Sequence, residues 1–216
     1  MKNSFSQVLF DKMPVIGILR NYSSSEVEFI APAFEKAGLT NLEITMNSKE
    51  AENEISFLCS NFPNLNIGAG TVCTIKDLDK AQDAGASFIV SPILDLNLIK
   101  ECVQRKLAVF PGAFSPTEIY QAWEAGATAV KIFPATMFGP KYVKEIKAPL
   151  SEIKLLPTGG VSKDNIADYF KAGATGVGMG SSLFNKECLK TRDANGLDAG
   201  FQAIVQLVKE AIGGYG

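Results

Sequence analysis

Short apolar runs alternate with amphipathic stretches along the 216 residues of the chain. One phrase recurs in four copies: KAGLTNLEI (36–44), DAGASFIV (83–90), EAGATAVKI (124–132) and KAGATGVGM (171–179). In each copy a glycine follows an amphipathic stretch and precedes an apolar run. This order predicts a helix that ends at a glycine in the left-handed conformation, then a short turn and a buried strand.

Four further apolar runs lie outside these copies and bring the predicted strands to eight: 14–20 (PVIGILR), 65–70 (LNIGAG), 107–112 (LAVFPG) and 153–160 (IKLLPTGG). Amphipathic stretches follow the strands and predict helices near 24–37, 48–61, 74–84, 95–105, 116–125, 139–147, 163–172 and 197–212. Eight alternating strand–helix units in a short chain predict an α/β fold of the closed (β/α)8 type, a TIM barrel.

The competing architecture is an open, doubly wound sheet, whose first strand–helix turn is expected to carry the pattern G-x-G-x-x-G. The corresponding segment, RNYSSSE at 20–26, contains no glycine, which favours the barrel. No linker or low-complexity segment divides the sequence, so residues 1–216 are interpreted as a single barrel domain. Residues 1–13 are interpreted as an extra N-terminal helix that covers the floor of the barrel.

Composition and charge argue against several function classes. The net charge of −2 has both signs interspersed, which argues against a nucleic acid or a membrane surface as a partner. No apolar run approaches the roughly 18 residues of a membrane span, and the N-terminal stretch lacks the long apolar segment of a signal peptide. The four cysteines match neither a zinc pattern nor a CxxC pair, so we expect reduced thiols, no metal site and a cytoplasmic protein.

The chain contains no histidine, so any catalysis must rest on lysine, carboxylate, tyrosine, cysteine or backbone groups. Side chains of a strand alternate between two faces, and this period orients the polar residues of the strand at 41–47. The face that suits packing against outer helices carries Leu42, Ile44 and Met46. The other face, which must look into the barrel, carries Glu43, Thr45 and Asn47.

The strand near 130–133 brings a second charged side chain into the lumen, because Lys131 and Phe133 share its inner face. Arg20 and Thr71 lie at the C-terminal ends of two other strands, the end of a barrel where active sites are built. Lys154 lies instead at the beginning of its strand. It therefore belongs to the floor of the barrel, where we expect a structural role.

The lumen position of Lys131 favours a catalytic role. Burial favours the neutral amine, and a neutral amine attacks ketones to form a Schiff base. A carboxylate from another strand, Glu43, can then transfer protons. The alternative is a structural ion pair between Lys131 and Glu43 that seals the barrel.

Two glycine-rich segments close the last two strands, TGGV at 158–161 and GMGSSLF at 178–184. Loops at these places commonly bind phosphate in such barrels, because glycines let backbone N–H groups approach an anion. The alternative is that the glycines only permit tight turns. A third segment, GAG at 68–70, is a weaker signal of the same kind, and the alternative there is a strand-end turn.

Together these motifs resemble the family of 2-keto-3-deoxy-6-phosphogluconate (KDPG) and 4-hydroxy-2-oxoglutarate (KHG) aldolases. The resemblance runs from PVIGILR through LEITMNS, GAGTV, SPILD, FPGAFSPTE and VKIFPA to PTGGV and GMGSSLF, nearly the whole chain. It implies a class I aldolase, a (β/α)8 barrel that forms a homotrimer and uses no cofactor or metal. It also implies reversible cleavage of KDPG or KHG to pyruvate and either glyceraldehyde 3-phosphate or glyoxylate.

Transferred position by position, the resemblance makes Lys131 the Schiff-base lysine and Glu43 the proton-transferring base. The other substrate-binding residues are Arg20, Thr45, Asn47, Thr71, Pro92 and Phe133 toward the pyruvyl end, with Thr158, Gly159, Gly160, Gly180 and Ser181 toward the phosphate.

One position departs from the phosphogluconate type, which resembles LEVTLRT at the second strand and has an arginine for the substrate carboxylate. This chain has Asn47 there, so Arg20 could supply the cation. The segments ILR, NS and FGPKYVKEIKA resemble the relative that acts on the galactonate epimer, whereas LPTGGV resembles the gluconate type. Two other classes stay open: a phosphate-binding isomerase or synthase without a Schiff base, and a barrel that only binds a phosphorylated metabolite.

Overall fold

The computed structural model describes residues 4–213, in which parallel strands alternate with helices. The strands are β1 (Val15–Leu19), β2 (Asn41–Thr45), β3 (Asn66–Gly70), β4 (Phe88–Val90), β5 (Ala108–Phe110), β6 (Gly112–Ala113), β7 (Val130–Ile132), β8 (Leu155–Pro157) and β9 (Val177–Met179). The helices are α1 (Gln7–Lys12), α2 (Ser24–Lys36), α3 (Ala51–Asn61), α4 (Ile75–Asp83), α5 (Leu96–Gln104), α6 (Pro116–Glu124), α7 (Gly139–Lys147), α8 (Ile166–Lys171), α9 (Lys186–Thr191) and α10 (Ala194–Gly213). A 3-10 turn, Ala135–Met137, precedes α7.

Hydrogen bonding groups the strands into two parallel sheets, ordered β5-β4-β3-β2-β1-β9 and β6-β7-β8. Pro111, which has no N–H to donate, is the single residue between β5 and β6. On the other side, a bridge between Thr158 and Gly178 connects the two sheets. The predicted α/β class and parallel strands are therefore confirmed, although the strands do not form one uninterrupted eight-stranded ladder.

The sequence pattern locates most elements to within a few residues, and α7 has the predicted limits. The strand expected over 41–47 ends at Thr45, and the strand expected within 153–160 is confined to Leu155–Pro157. The sequence did not predict α9, which at six residues is too short to show a helical period.

Local signals explain where helices begin and end. The four glycines of the recurring phrase have φ between +89° and +101°, the left-handed region that a helix C-terminus favours: Gly38, Gly85, Gly126 and Gly173. Capping boxes start three helices through the pairs Ser23–Glu26, Thr74–Asp77 and Ser115–Glu118. None of the helices in the described part of the chain has the length and apolarity that a membrane span requires.

Apolar side chains form two layers. The outer layer, between strands and helices, contains Leu42, Ile44, Val130 and Ile132, as the alternation predicts. The inner cluster contains Phe10, Ile16, Ile18, Phe88, Val90, Phe110, Ala129 and Leu156.

The N-terminal segment closes the strand-start end of the inner cluster. Phe10 of α1 belongs to that cluster, and Phe5 packs against it at ring-centroid distances of 5.7–5.9 Å. Thr40 and Asn66, at the starts of β2 and β3, hydrogen-bond to the backbone of this segment. The apolar filling at this end leaves the C-terminal ends of the strands for polar groups.

Candidate active site

Lys131 lies in the middle of β7, between Val130 and Ile132. Both neighbours are buried in the outer layer, so the lysine side chain points to the inner face. Only 3% of Lys131 is exposed, and its Nζ lies 4.8 Å from the centroid of the Phe133 ring. The ammonium form is therefore poorly solvated.

Burial also controls the charge states of the lysine and of the carboxylate assigned to it. Burial is the largest influence on the pKa of Lys131 and lowers it, while the Glu43 charge opposes the shift and Arg20 adds to it. Burial likewise raises the pKa of Glu43 against the opposing charges of Lys131 and Arg20. Within residues 4–213 neither Lys131 nor Glu43 forms an ion pair. The structural ion pair between Lys131 and Glu43 is therefore not formed, and burial favours the neutral form of the Lys131 amine.

Glu43 of β2 is only 1% exposed, and its Oε2 atom is buried without a hydrogen-bond partner in the described residues. A Cβ at Gly70 would lie 1.6 Å from Oε1 of Glu43. Gly70 therefore makes the room that the carboxyl group occupies. All three residues of the GAG segment belong to β3, within the strand predicted at 65–70. An unpartnered buried oxygen is costly, and it is a natural acceptor for a substrate hydroxyl or a water.

A cavity of about 950 Å³ opens beyond Phe133, at the C-terminal ends of β1, β8 and β9. The predicted site residues that line it are Arg20, Phe133, Thr158, Gly159, Gly160, Gly180 and Ser181. It is also lined by residues that we did not predict: Asn21, Tyr22, Glu26, Ser182, Lys186 and Lys190. Among these, Lys186 and Lys190 gave a sequence signal that could have been used, because two lysines one helical turn apart can lie on the same face of a helix.

The two glycine-rich loops present free backbone donors to this cavity. In the described part of the chain, no hydrogen bond is found for the backbone N–H groups of Gly160, Gly180 and Ser181. A side chain is excluded at Gly160, where φ is +75° and a Cβ would lie 2.0 Å from Cγ2 of Thr136. Unpaired N–H groups that line a cavity suit an anion such as phosphate.

The other predicted site residues, Lys131 and Glu43 included, do not line this cavity. Thr45 is buried, while Thr71 and Pro92 are partly buried at the strand ends. Asn47 is exposed, because β2 ends at Thr45 and the strand alternation stops before residue 47. Among the described residues, no three Cys, Asp or Glu side chains lie together as metal ligands.

Ser48 connects the ends of β1 and β2. Its Oγ accepts a hydrogen bond from the backbone N of Asn21 (2.9 Å) and lies 3.1 Å from Oγ1 of Thr45. Asn21 has a φ of +58°, which is uncommon for a residue other than glycine. The bond holds this backbone beside Arg20, whose side chain lines the cavity.

The chain is similar to known aldolases in sequence and in fold. The family described as "Aldolase: KDPG and KHG aldolase" matches residues 7–199. A 2-dehydro-3-deoxy-6-phosphogalactonate aldolase of Escherichia coli K12 is 38% identical over 175 residues, covering 80% of this chain and 85% of the relative. A 2-dehydro-3-deoxy-phosphogluconate aldolase of Pseudomonas aeruginosa is 37% identical over 158 residues, covering 73% of this chain and 70% of the relative.

A solved structure extends the similarity to the fold. It is the KDPG aldolase of Legionella pneumophila with pyruvate captured at low pH as a covalent carbinolamine intermediate. Its TM-score is 0.84 and its sequence identity 27%, and the match covers 91% of this chain and 96% of that chain.

Proposed function

The chain belongs to the KDPG and KHG aldolase family, and on this premise we propose that it is a class I lyase that uses a Schiff base. Its substrates are 2-keto-3-deoxy-6-phospho sugar acids, cleaved reversibly to pyruvate and glyceraldehyde 3-phosphate, and KHG, cleaved to pyruvate and glyoxylate. The observation that carries the proposal is the buried amine of Lys131, whose pKa burial lowers and which forms no ion pair in the described residues. The covalent pyruvate adduct of the Legionella relative supports the same chemistry.

Lys131 supplies the nucleophile. Its neutral Nζ attacks the C2 ketone of the substrate, and loss of water leaves an iminium on the lysine. The iminium accepts the electron pair of the C3–C4 bond when that bond breaks. The aldehyde fragment leaves, and an enamine of pyruvate stays attached to Lys131.

Glu43 moves the protons. Its carboxylate, directly or through a water, takes the proton of the C4 hydroxyl as the C3–C4 bond breaks. The protonated carboxyl then returns a proton to C3 of the enamine, and water hydrolyses the resulting iminium to pyruvate and the free amine. A raised pKa suits this double role, because the group must accept and release a proton in one cycle.

The two sheets support a closed barrel, which this mechanism requires because Glu43 and Lys131 come from different sheets. The backbone N of Lys131 donates to the carbonyl of Pro111 (2.9 Å), so the smaller sheet continues past the junction of β5 and β6. The bridge between Thr158 and Gly178 joins the other edges. We infer one eight-stranded barrel in which β5, Pro111 and β6 form a single strand.

The two ends of the substrate have separate partners in this proposal. Arg20, which lines the cavity and whose charge reaches Lys131 and Glu43, orients the carboxylate next to the ketone. The free N–H groups of the glycine-rich loops bind the phosphate in the cavity that these loops line.

We infer that the galactonate epimer is the preferred sugar acid. Identities of 38% and 37% to the two types of relative do not separate the epimers, but Asn47 replaces the arginine expected for the gluconate type. The ratio of kcat/KM for the two C4 epimers should move toward the gluconate acid in Asn47→Arg. An unchanged ratio would show that position 47 does not discriminate.

We also infer a homotrimer, as the family resemblance implies. A surface to be covered exists beside the 3-10 turn, where Met137 and Phe138 are 65% and 56% exposed. Phe138 stacks there on Phe114 at a ring-centroid distance of 5.3 Å. Sedimentation equilibrium should give three times the chain mass, and a monomer at assay concentrations would refute this.

A coupled assay for pyruvate release tests the reaction. The panel consists of KHG and both C4 epimers of the 2-keto-3-deoxy sugar acid, each with and without its 6-phosphate. We expect the fastest pyruvate release from the phosphorylated sugar acids. An isomerase or synthase would convert a phosphosugar without releasing pyruvate, and a barrel that only binds would show affinity without turnover.

A further inference from the structure

The phosphate end of the cavity needs a cation that the glycine-rich loops do not provide. Backbone N–H groups are neutral donors, whereas a phosphate monoester carries close to two negative charges at neutral pH. Taking such an anion out of water is unfavourable unless charged partners compensate. Arg20 also lines this cavity, and the proposed function assigns its charge to the carboxylate next to the ketone.

Two further cations line the cavity, Lys186 and Lys190 of α9. Leu189 lines it as well, so the cavity-facing positions are i, i+3 and i+4, one face of the helix. Both lysines are exposed, and in the described part of the chain neither forms an ion pair or a hydrogen bond. Their charges are therefore available to a ligand.

The helix that carries the lysines is fixed at both ends. At its start, Oδ1 of Asn185 accepts hydrogen bonds from the backbone N of Glu187 (2.9 Å) and of Cys188 (3.3 Å). At its end, Arg192 donates to the carbonyl oxygen (2.7 Å) and the hydroxyl (3.1 Å) of Ser25 in α2, and its guanidinium lies 5.1 Å from the Phe29 ring. The lysine face is thus held toward the cavity before any ligand arrives.

A carboxylate also lines this cavity and limits where an anion can sit. Glu26 belongs to the first turn of α2, and its Oε2 accepts hydrogen bonds from the backbone N and the hydroxyl of Ser23. Its negative charge repels an anion from the α2 wall. The favourable place for a phosphate lies between the glycine-rich loops and α9.

We propose that Lys186 and Lys190 bind the terminal phosphate of the substrate and determine the preference for phosphorylated over unphosphorylated sugar acids. This rests on the proposed aldolase function and assigns the charge recognition to two residues outside the glycine motifs. The loops supply directional N–H donors, and the two lysines supply the charge.

The test compares kcat/KM for one 2-keto-3-deoxy acid with and without its 6-phosphate, in the wild type and in Lys186→Gln, Lys190→Gln and the double variant. Each substitution should lower kcat/KM for the phosphorylated acid by about tenfold, the loss expected for one hydrogen bond to a charged group. The unphosphorylated acid should lose far less, so the preference ratio falls. Lys154→Gln is the matched control, because it removes the same charge from the opposite end of the barrel. A charge-retaining double variant, Lys186→Arg with Lys190→Arg, should keep most of the preference.

Inorganic phosphate gives an independent measurement on the same proteins. Its inhibition constant against the phosphorylated acid should rise in the double glutamine variant and stay unchanged in Lys154→Gln. A double glutamine variant with the wild-type preference ratio, or an equal loss for both acids, would overturn the role of the lysines. Failure of the aldolase proposal would look different, because the wild type itself would release no pyruvate from either acid.

Discussion

Lys131 lies in β7 and Lys154 immediately precedes the neighbouring strand β8, and the carbonyl of Lys154 accepts a hydrogen bond from the backbone N of Val130 (2.8 Å). Lys131 lies inside β7 and is 3% exposed, whereas Lys154 precedes β8 and is exposed to solvent. Burial lowers the pKa of Lys131. The same residue type therefore has two different environments, one inside β7 and one just before β8.

The difference shows that position along a strand, and not residue type, prepares a lysine for chemistry. At the start of the strands the inner face is covered by apolar side chains such as Phe10 and Phe88, so a charged group there must turn to water. Toward the C-terminal ends Gly70 opens the lumen and Glu43 occupies that space. A lysine at this level stays inside and is desolvated without being paired.

Replacing the two lysines in turn should give the largest contrast. Lys131→Met should lower kcat/KM by on the order of 10⁴–10⁶-fold, because no other amine takes over the covalent step. Lys154→Met should change it by less than about twofold, as for most surface substitutions. Pyruvate release measures both. Substantial turnover in Lys131→Met would remove the functional distinction between the two lysines.

Narrowing the space around the carboxylate should have the next largest effect. In Gly70→Ala the added methyl collides with Glu43, and displacement of a catalytic group by about 1 Å can cost about 10²-fold in rate. Gly200→Ala is the control, since a Cβ at Gly200 in α10 meets no atom within 4 Å. Steady-state kcat measures the effect. Normal turnover in Gly70→Ala would mean that Glu43 need not occupy this place.

Removing the Arg20 cation from the cavity wall should act mainly on substrate binding. Arg20→Ala should raise KM for pyruvate in the aldol direction by about tenfold, the typical loss of a charge-assisted contact. It should also raise the pKa of Lys131, because the Arg20 charge contributes to lowering it. Initial rates across pyruvate concentrations measure the first effect. An unchanged KM would assign the carboxylate to another residue.

The smallest expected effect is on stability. Lys131→Met should lower activity but raise the free energy of unfolding. In a Glu43→Gln background, Lys131→Met should raise the free energy of unfolding at pH 7 by roughly 1–3 kcal/mol, because methionine removes the cost of burying an unpaired amine. Lys154→Met should stay within about 0.5 kcal/mol. Urea denaturation of the Glu43→Gln protein and of its Lys131→Met and Lys154→Met derivatives measures these differences. A destabilised Lys131→Met protein would show that Lys131 is structural.

The same experiment has a defined pH dependence. The folded-state pKa of Lys131 lies below its ordinary value of 10.5, so the unfolded state binds more protons between these two values. The stability contributed by Lys131 therefore rises with pH in that range. The advantage of methionine should shrink as the pH approaches 10.5, and an advantage that grows with pH would contradict the lowered pKa.

The fold was largely predictable because its signals are local and repeated. The recurring glycine phrase marks four helix ends, and their positive φ values confirm the physical reason for it. The limits of short elements were not predictable. The strand at 41–47 stops at Thr45, and α9 is fixed by Asn185 and Arg192 through contacts that no period in the sequence shows.

The candidate site was predictable only where strand alternation reaches it. Alternation indicated the inner positions of Glu43 and Lys131, which the structure places in buried surroundings. It gave no information on Gly70, whose importance lies in a side chain of the neighbouring strand, nor on Asn47, which lies beyond the strand end. Lys186 and Lys190 line the cavity through the packing of a helix that follows the last strand.

Borohydride treatment in the presence of pyruvate tests most directly whether Lys131 carries the covalent step. Reduction of the iminium would leave a stable pyruvyl group on the lysine, which peptide mass spectrometry can locate. We expect this group on the peptide that contains Lys131, none on the peptide that contains Lys154, and none in Lys131→Met. An unmodified Lys131 in a protein that still releases pyruvate, or the same modification on another lysine, would contradict the proposed mechanism.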